Sequence, residues 1–61
     1  MKVIDGRVVA GTMNKKYSVL TEGQALIYYV TFNTNNLTLA KIVCTVKENS
    51  IVVKNKYYYS Y

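Results

Sequence analysis

This sequence predicts an all-β domain: a small antiparallel meander or partly open barrel of five to six strands, dimeric with a second copy of itself. Three observations carry the expectation. Short runs of β-branched and aromatic residues recur along the chain. Glycine and polar turn sequences separate those runs at close intervals. Proline is absent, and no repeat, linker or low-complexity tract divides the 61 residues, so 1–61 reads as a single small β domain.

The first hairpin is the clearest element. Asp5-Gly6 suits a two-residue type I′ turn, whose central residues both need positive φ, and it joins residues 2–4 with 7–10. Gly11 permits a bulge or corner, and Met13-Asn14-Lys15-Lys16 reads as a loop. Residues 17–20 make a short strand, ended by Thr21-Glu22-Gly23. Residues 24–32 form the expected central strand. Leu26, Tyr28, Val30 and Phe32 lie on one parity and Ala25, Ile27, Tyr29 and Thr31 on the other, so both faces are largely apolar. A short helix competes for this stretch, because Thr21 and Gln24 fit the capping-box spacing. The succession from Ile27 to Phe32 suits a pleated surface better.

Asn33-Thr34-Asn35-Asn36 marks the next turn. Residues 37–46 then resume an extended pattern, with Leu37 and Leu39 on one parity and Ala40, Ile42, Cys44 and Val46 on the other. Such a parity switch is what a β-bulge produces, or a strand buried partly on each face. Lys47-Glu48-Asn49-Ser50 is a further turn before a last strand over residues 51–61. There Ile51, Val53, Tyr57, Tyr59 and Tyr61 share one face, Val52, Lys54, Lys56, Tyr58 and Ser60 the other, and Asn55 interrupts the apolar stripe.

Size sets the next constraint. A domain this short buries only about 60% of its unfolded surface, and small scaffolds commonly lean on disulfides, metals or oligomerisation. Cys44 is the only cysteine, histidine is absent and the three acids are scattered, so neither a disulfide nor a zinc or calcium site is expected. Self-association remains. The start of the chain has no signal-peptide hydrophobic region and no segment approaches the length of an apolar membrane span, so the expectation is a cytoplasmic protein with no membrane partner. Asn36-Leu37-Thr38 matches a glycosylation triplet and, without a secretory signal, reads as an accidental match.

Catalytic groups are sparse. Asp5, Glu22 and Glu48 read as solvated turn acids, and Cys44 as an inert buried thiol on the face of Ile42 and Val46. No Gly-rich phosphate loop or nucleophile motif is present, so no enzyme and no cofactor is expected. The net charge of +5 attracts anionic partners at low salt, although seven of the eight basic residues are lysine, whereas arginine is the commoner reader of bases and phosphates. Lys54, Lys56 and Tyr58 form a small basic and aromatic strip that opens a nucleic-acid reading, with Lys41 and Lys47 as further phosphate contacts. Lys15-Lys16 needs only solubility as its explanation.

Tyrosine supplies the alternative. Seven tyrosines are present, and such rings are enriched at interfaces where one end is buried and the other wet. Tyr28, Tyr29, Tyr57, Tyr59 and Tyr61 are therefore the expected dimer or partner contacts. Asparagine, lysine, tyrosine and isoleucine are abundant together, the bias that AT-rich coding sequence produces. A short chain of this kind resembles in general character the accessory proteins encoded by bacteriophages and mobile elements, a resemblance that rests on no motif and transfers no residue. It implies an inhibitor or adaptor docking on a larger host protein, including one that counters an antiviral defence system. The sequence thus favours a homodimeric protein-binding module over a nucleic-acid-binding accessory protein, with a structural subunit of a larger assembly as a third reading.

Overall fold

The computed structural model describes residues 3–55. Its first element is a hairpin of Val3–Ile4 (β1) and Arg7–Ala10 (β2), with Val3 opposite Val8 and Ile4 opposite Arg7. Asp5 and Gly6 take φ of 50° and 75°, the left-handed values that a two-residue turn of this hand requires. β3 follows over Tyr17–Glu22 and β4 over Ile27–Thr34; a helix, α1, spans Leu37–Val46, and β5 is Ser50–Lys54.

The strands form one curled half-barrel sheet in the order β1-β2-β4-β3-β5. This corrects the meander expectation, and with it the wholly antiparallel one, because β2 and β4 run parallel with Val8 opposite Ile27 and Ala10 opposite Tyr29. The reason lies in β4 and in the loop before β3. β4 is eight residues long and apolar on both sides, so pairing at both of its edges buries the most surface. The loop over residues 11–16 is long enough to pass the end of one strand, with strand spacings of about 4.8 Å. It is held there by Asn33 Nδ2 donating to the Thr12 carbonyl at 2.9 Å and by the Lys16 amide donating to Asn35 Oδ1 at 2.9 Å.

The second correction is α1, which replaces the expected strand over residues 37–46. Asn36 caps it: the backbone is extended there, and Oδ1 accepts the Leu39 amide at 3.2 Å. The parity switch at Leu39 and Ala40 was the helical period. Ala40, Val43 and Cys44 recur at spacings of three and four, one side of a helix, and Ala40 is completely buried. Thr38, Ile42, Val43, Thr45 and Val46 are β-branched and carry a strand preference that cap and packing override. Cys44 consequently sits on the helix, half-buried, its thiol donating to the Ser50 carbonyl at 3.3 Å.

β3 lies inside the sheet, and consecutive residues on it serve opposite layers. Leu20 turns to the concave face, where it meets Val30 and Ile51 across the ladders and packs with Val9 and Tyr28; Ile4, Met13 and Val53 close the cluster. Val19 faces the other way, opposite Phe32 and Val52, on the side that α1 covers by packing on β3, β4 and β5. A register shift between Val19 and Leu20 leaves Thr31 as the extra residue of β4, a bulge that turns Phe32 onto the helix side.

One end of the concave face is polar. Ser18 donates to Asn33 Oδ1 at 2.6 Å, and Asn55 Nδ2 donates to Ser18 Oγ at 2.8 Å and to the Lys15 carbonyl at 2.9 Å. Asn55, which the sequence shows as a break in an apolar stripe, therefore ties β5 to β3 and to the loop before it. Removing the donor that a buried hydroxyl, Ser18 Oγ, accepts costs about 1–3 kcal/mol. Asn55→Ala is expected to lower unfolding stability by that amount in a urea titration with the m-value unchanged; an effect below about 0.3 kcal/mol would show that the network contributes nothing net.

Candidate interaction surface

α1 covers only part of its side of the sheet. Its rotation is fixed by two contacts: Ala40 is buried against the strands, and Cys44 is turned toward edge strand β5 by its hydrogen bond to Ser50. Successive residues advance by about 100°, so Leu39, Val43 and Val46 occupy the flank turned away from β5, toward β4 and β2, with Ile42 above them. Leu39, Ile42 and Val46 are exposed, Val46 to 79%. They stand at i, i+3 and i+7, an apolar stripe that no described residue covers, beside Lys41 and the two threonines.

Among the described residues, nothing covers the sheet beyond that flank. Val3, Val8 and Tyr29 are all exposed there, and register places Val8 beside Val3 and Ile27 and Tyr29 beside Ala10. Tyr29 also covers Gly23, where an added Cβ would fall 2.1 Å from Cε2 of the ring. The turn between β3 and β4 adds Leu26, which is 63% exposed. It closes at one side through the Gly23 amide donating to the Ile27 carbonyl at 2.7 Å, and at the other through the Val8 amide donating to the Leu26 carbonyl at 3.3 Å. Because α1 runs back from the end of β4, Val46 lies at the same end of the molecule as this turn, where the Glu22 amide meets the Asn49 carbonyl at 2.8 Å.

The two tyrosines of β4 have separate fates. Tyr28 is 6% exposed and belongs to the chain's own core, whereas Tyr29 is 46% exposed and belongs to the open surface. Tyr57, Tyr58, Tyr59, Tyr61 and Lys56 lie outside the described residues. Lys54 is exposed on β5 opposite Tyr17, and the Asn55 amide donates to the Lys16 carbonyl at 2.7 Å, so exposed Lys15 and Lys16 stand at the same sheet corner as Lys54. Sequence reasoning had separated that loop pair from the β5 strip.

Glu22 is another correction, since it ends β3 rather than sitting in a turn and pairs with Arg7 at 3.0 Å. The Arg7 guanidinium lies 5.3 Å from the centre of the Tyr28 ring, so the pair covers the open end of the concave core. Its partners are partly exposed, and such a bridge contributes about 1 kcal/mol or less. Among the described residues no three of the acids and Cys44 converge, and no helix is long and apolar enough to cross a membrane. What the sequence reading missed is the helix stripe and Leu26; the 39, 42, 46 spacing was the available signal for the stripe.

No family model, curated protein or solved structure matches this chain.

The Tyr29 ring is half exposed, so Gly23→Ala is expected to displace it toward solvent and leave the sheet intact. Amide dispersion in a nitrogen–proton correlation spectrum should persist while the Tyr29 ring resonances shift; loss of dispersion would mean that the ring position is essential to folding.

Proposed function

We propose that the protein is a non-enzymatic protein-binding module acting as a homodimer, with the apolar surface of α1 and the uncovered sheet as its dimer interface. The stripe Leu39, Ile42 and Val46 carries the reading. Its spacing of three and four is that of a helix–helix seam, and two copies related by a two-fold axis set the same residues against each other. Tyr29 supplies a rigid amphipathic ring beside the seam.

Size supports the same conclusion. Among the described residues the buried apolar set is Val9, Val19, Leu20, Tyr28 and Ala40, a small core for a chain whose single cysteine precludes an intrachain disulfide. Large apolar side chains are exposed along this surface, and contiguous apolar patches beyond about a few hundred Å² mark interaction sites. A standard interface takes roughly 800 Å² from each partner, under a fifth of the 4460 Å² total surface. A dimer of this kind suits an inhibitor or adaptor that docks on a larger protein in the host cytoplasm, in the manner of phage-encoded factors directed at defence systems.

One observation favours a second reading. Lys15, Lys16 and Lys54 meet near Tyr17, the combination of positive charge and aromatic ring that single-stranded nucleic acid engages. Salt and mass separate the two. Light scattering at micromolar concentration should give twice the 7.0 kDa chain mass at both low and high salt, and Ile42→Glu, alone or with Val46→Glu, should return the monomer. Lys54→Glu should leave the mass unchanged. A wild-type monomer that stays folded would overturn the dimer, and oligonucleotide binding lost with Lys54→Glu and with added salt would favour the second reading.

A further inference from the structure

Among the described residues six have φ in the left-handed region, and four of them are of types suited to it: Asp5, Gly6, Gly11 and Asn49. The other two are Ala25 and Leu26, consecutive and both at φ of 57°. A non-glycine residue there brings Cβ against the following carbonyl, at a cost of about 1–2 kcal/mol each. Neither side chain offers the local hydrogen bonds that ease the conformation for asparagine or aspartate. The turn therefore departs from the residue choices made at every other such site among the described residues, and the departure places the largest side chain of the turn in solvent.

We propose that this turn is a strained anchor that presents Leu26 to a second copy of the chain. The inference rests on the homodimer reading and extends it by naming the residue that pins the interface at one end. Leu26 is 63% exposed and lies outside the concave cluster, so among the described residues most of its surface is left uncovered. It adjoins Ile27 and Val8, joins the bare sheet surface through them, and lies at the end of the molecule where Val46 closes the helix stripe. Hydrogen bonds on both sides, to the Ile27 and from the Val8 backbone, hold the turn closed and over-determine the conformation. An apolar side chain fixed in advance loses little freedom when it is buried, which is how a single anchor raises affinity.

Fold stability and association separate the possibilities. Leu26→Gly removes the side chain and relieves the backbone, so in the monomeric Ile42→Glu background its melting temperature should be unchanged or higher. In the otherwise wild-type chain the same substitution should weaken dimerisation about tenfold or more by analytical ultracentrifugation. Ala25→Gly, which relieves strain and keeps Leu26, should leave the dimer constant within about threefold. A fall of several degrees for Leu26→Gly in the monomeric background would assign Leu26 to the chain's own fold and overturn the proposal. So would an unchanged dimer constant in a protein that Ile42→Glu does dissociate. If Ile42→Glu itself leaves the dimer intact, the helix-stripe interface fails, and the anchor with it.

Discussion

Val19 and Leu20 point to opposite faces of β3, and both are completely shielded from solvent. Everything else in the molecule follows from burying these neighbours at once. Leu20 needs a concave surface, which the curl of the sheet provides with Val9, Tyr28, Val30 and Ile51. Val19 needs a lid, and no strand can supply one from within the same sheet; a helix laid across β3 from β4 to β5 does. That demand converts residues 37–46 from a run of β-branched side chains into the α1 crossover, and it places β3 between β4 and β5. The candidate surface is what the lid leaves open.

The local signals in the sequence were strong where one or two residues decide the backbone. Asp5-Gly6 specified a hairpin, the 13–16 loop was visible, and residues Ile27 to Phe32 read as the long apolar strand that β4 is, whereas the last strand, expected over residues 51–61, ends at Lys54. The parity of Ile51 and Val53 correctly put them on one face. Non-local demands were not legible. A β-branched decapeptide carries a strand preference in isolation, and only Asn36 and the 40, 43, 44 spacing argued for a helix. Strand order depended on how far a six-residue loop reaches and on which strand gains most from two neighbours, and neither is written in any one segment.

The candidate surface was half legible for the same reason. Exposure of Tyr29 and burial of Tyr28 are consequences of alternation, but choosing which side of β4 stays bare requires knowing where α1 lies. Leu26 belonged to an expected strand, and nothing in Gln24-Ala25-Leu26 announces a left-handed turn because neither glycine nor asparagine is present. The sheet thus starts two residues later than its apolar pattern, at the point where strain outweighs local preference.

The β3–β4 hairpin has a kinetic consequence. After the β1–β2 hairpin it is the most local pairing of the sheet, since β2 with β4 and β3 with β5 both wait for longer chain segments to close. A search for the native topology that begins with this hairpin must pass through the Ala25-Leu26 turn before the flanking strands and the helix repay its unfavourable backbone. Relief of that turn would then act chiefly on the rate of folding rather than on the rate of unfolding, the signature of a residue whose conformation is already set at the barrier.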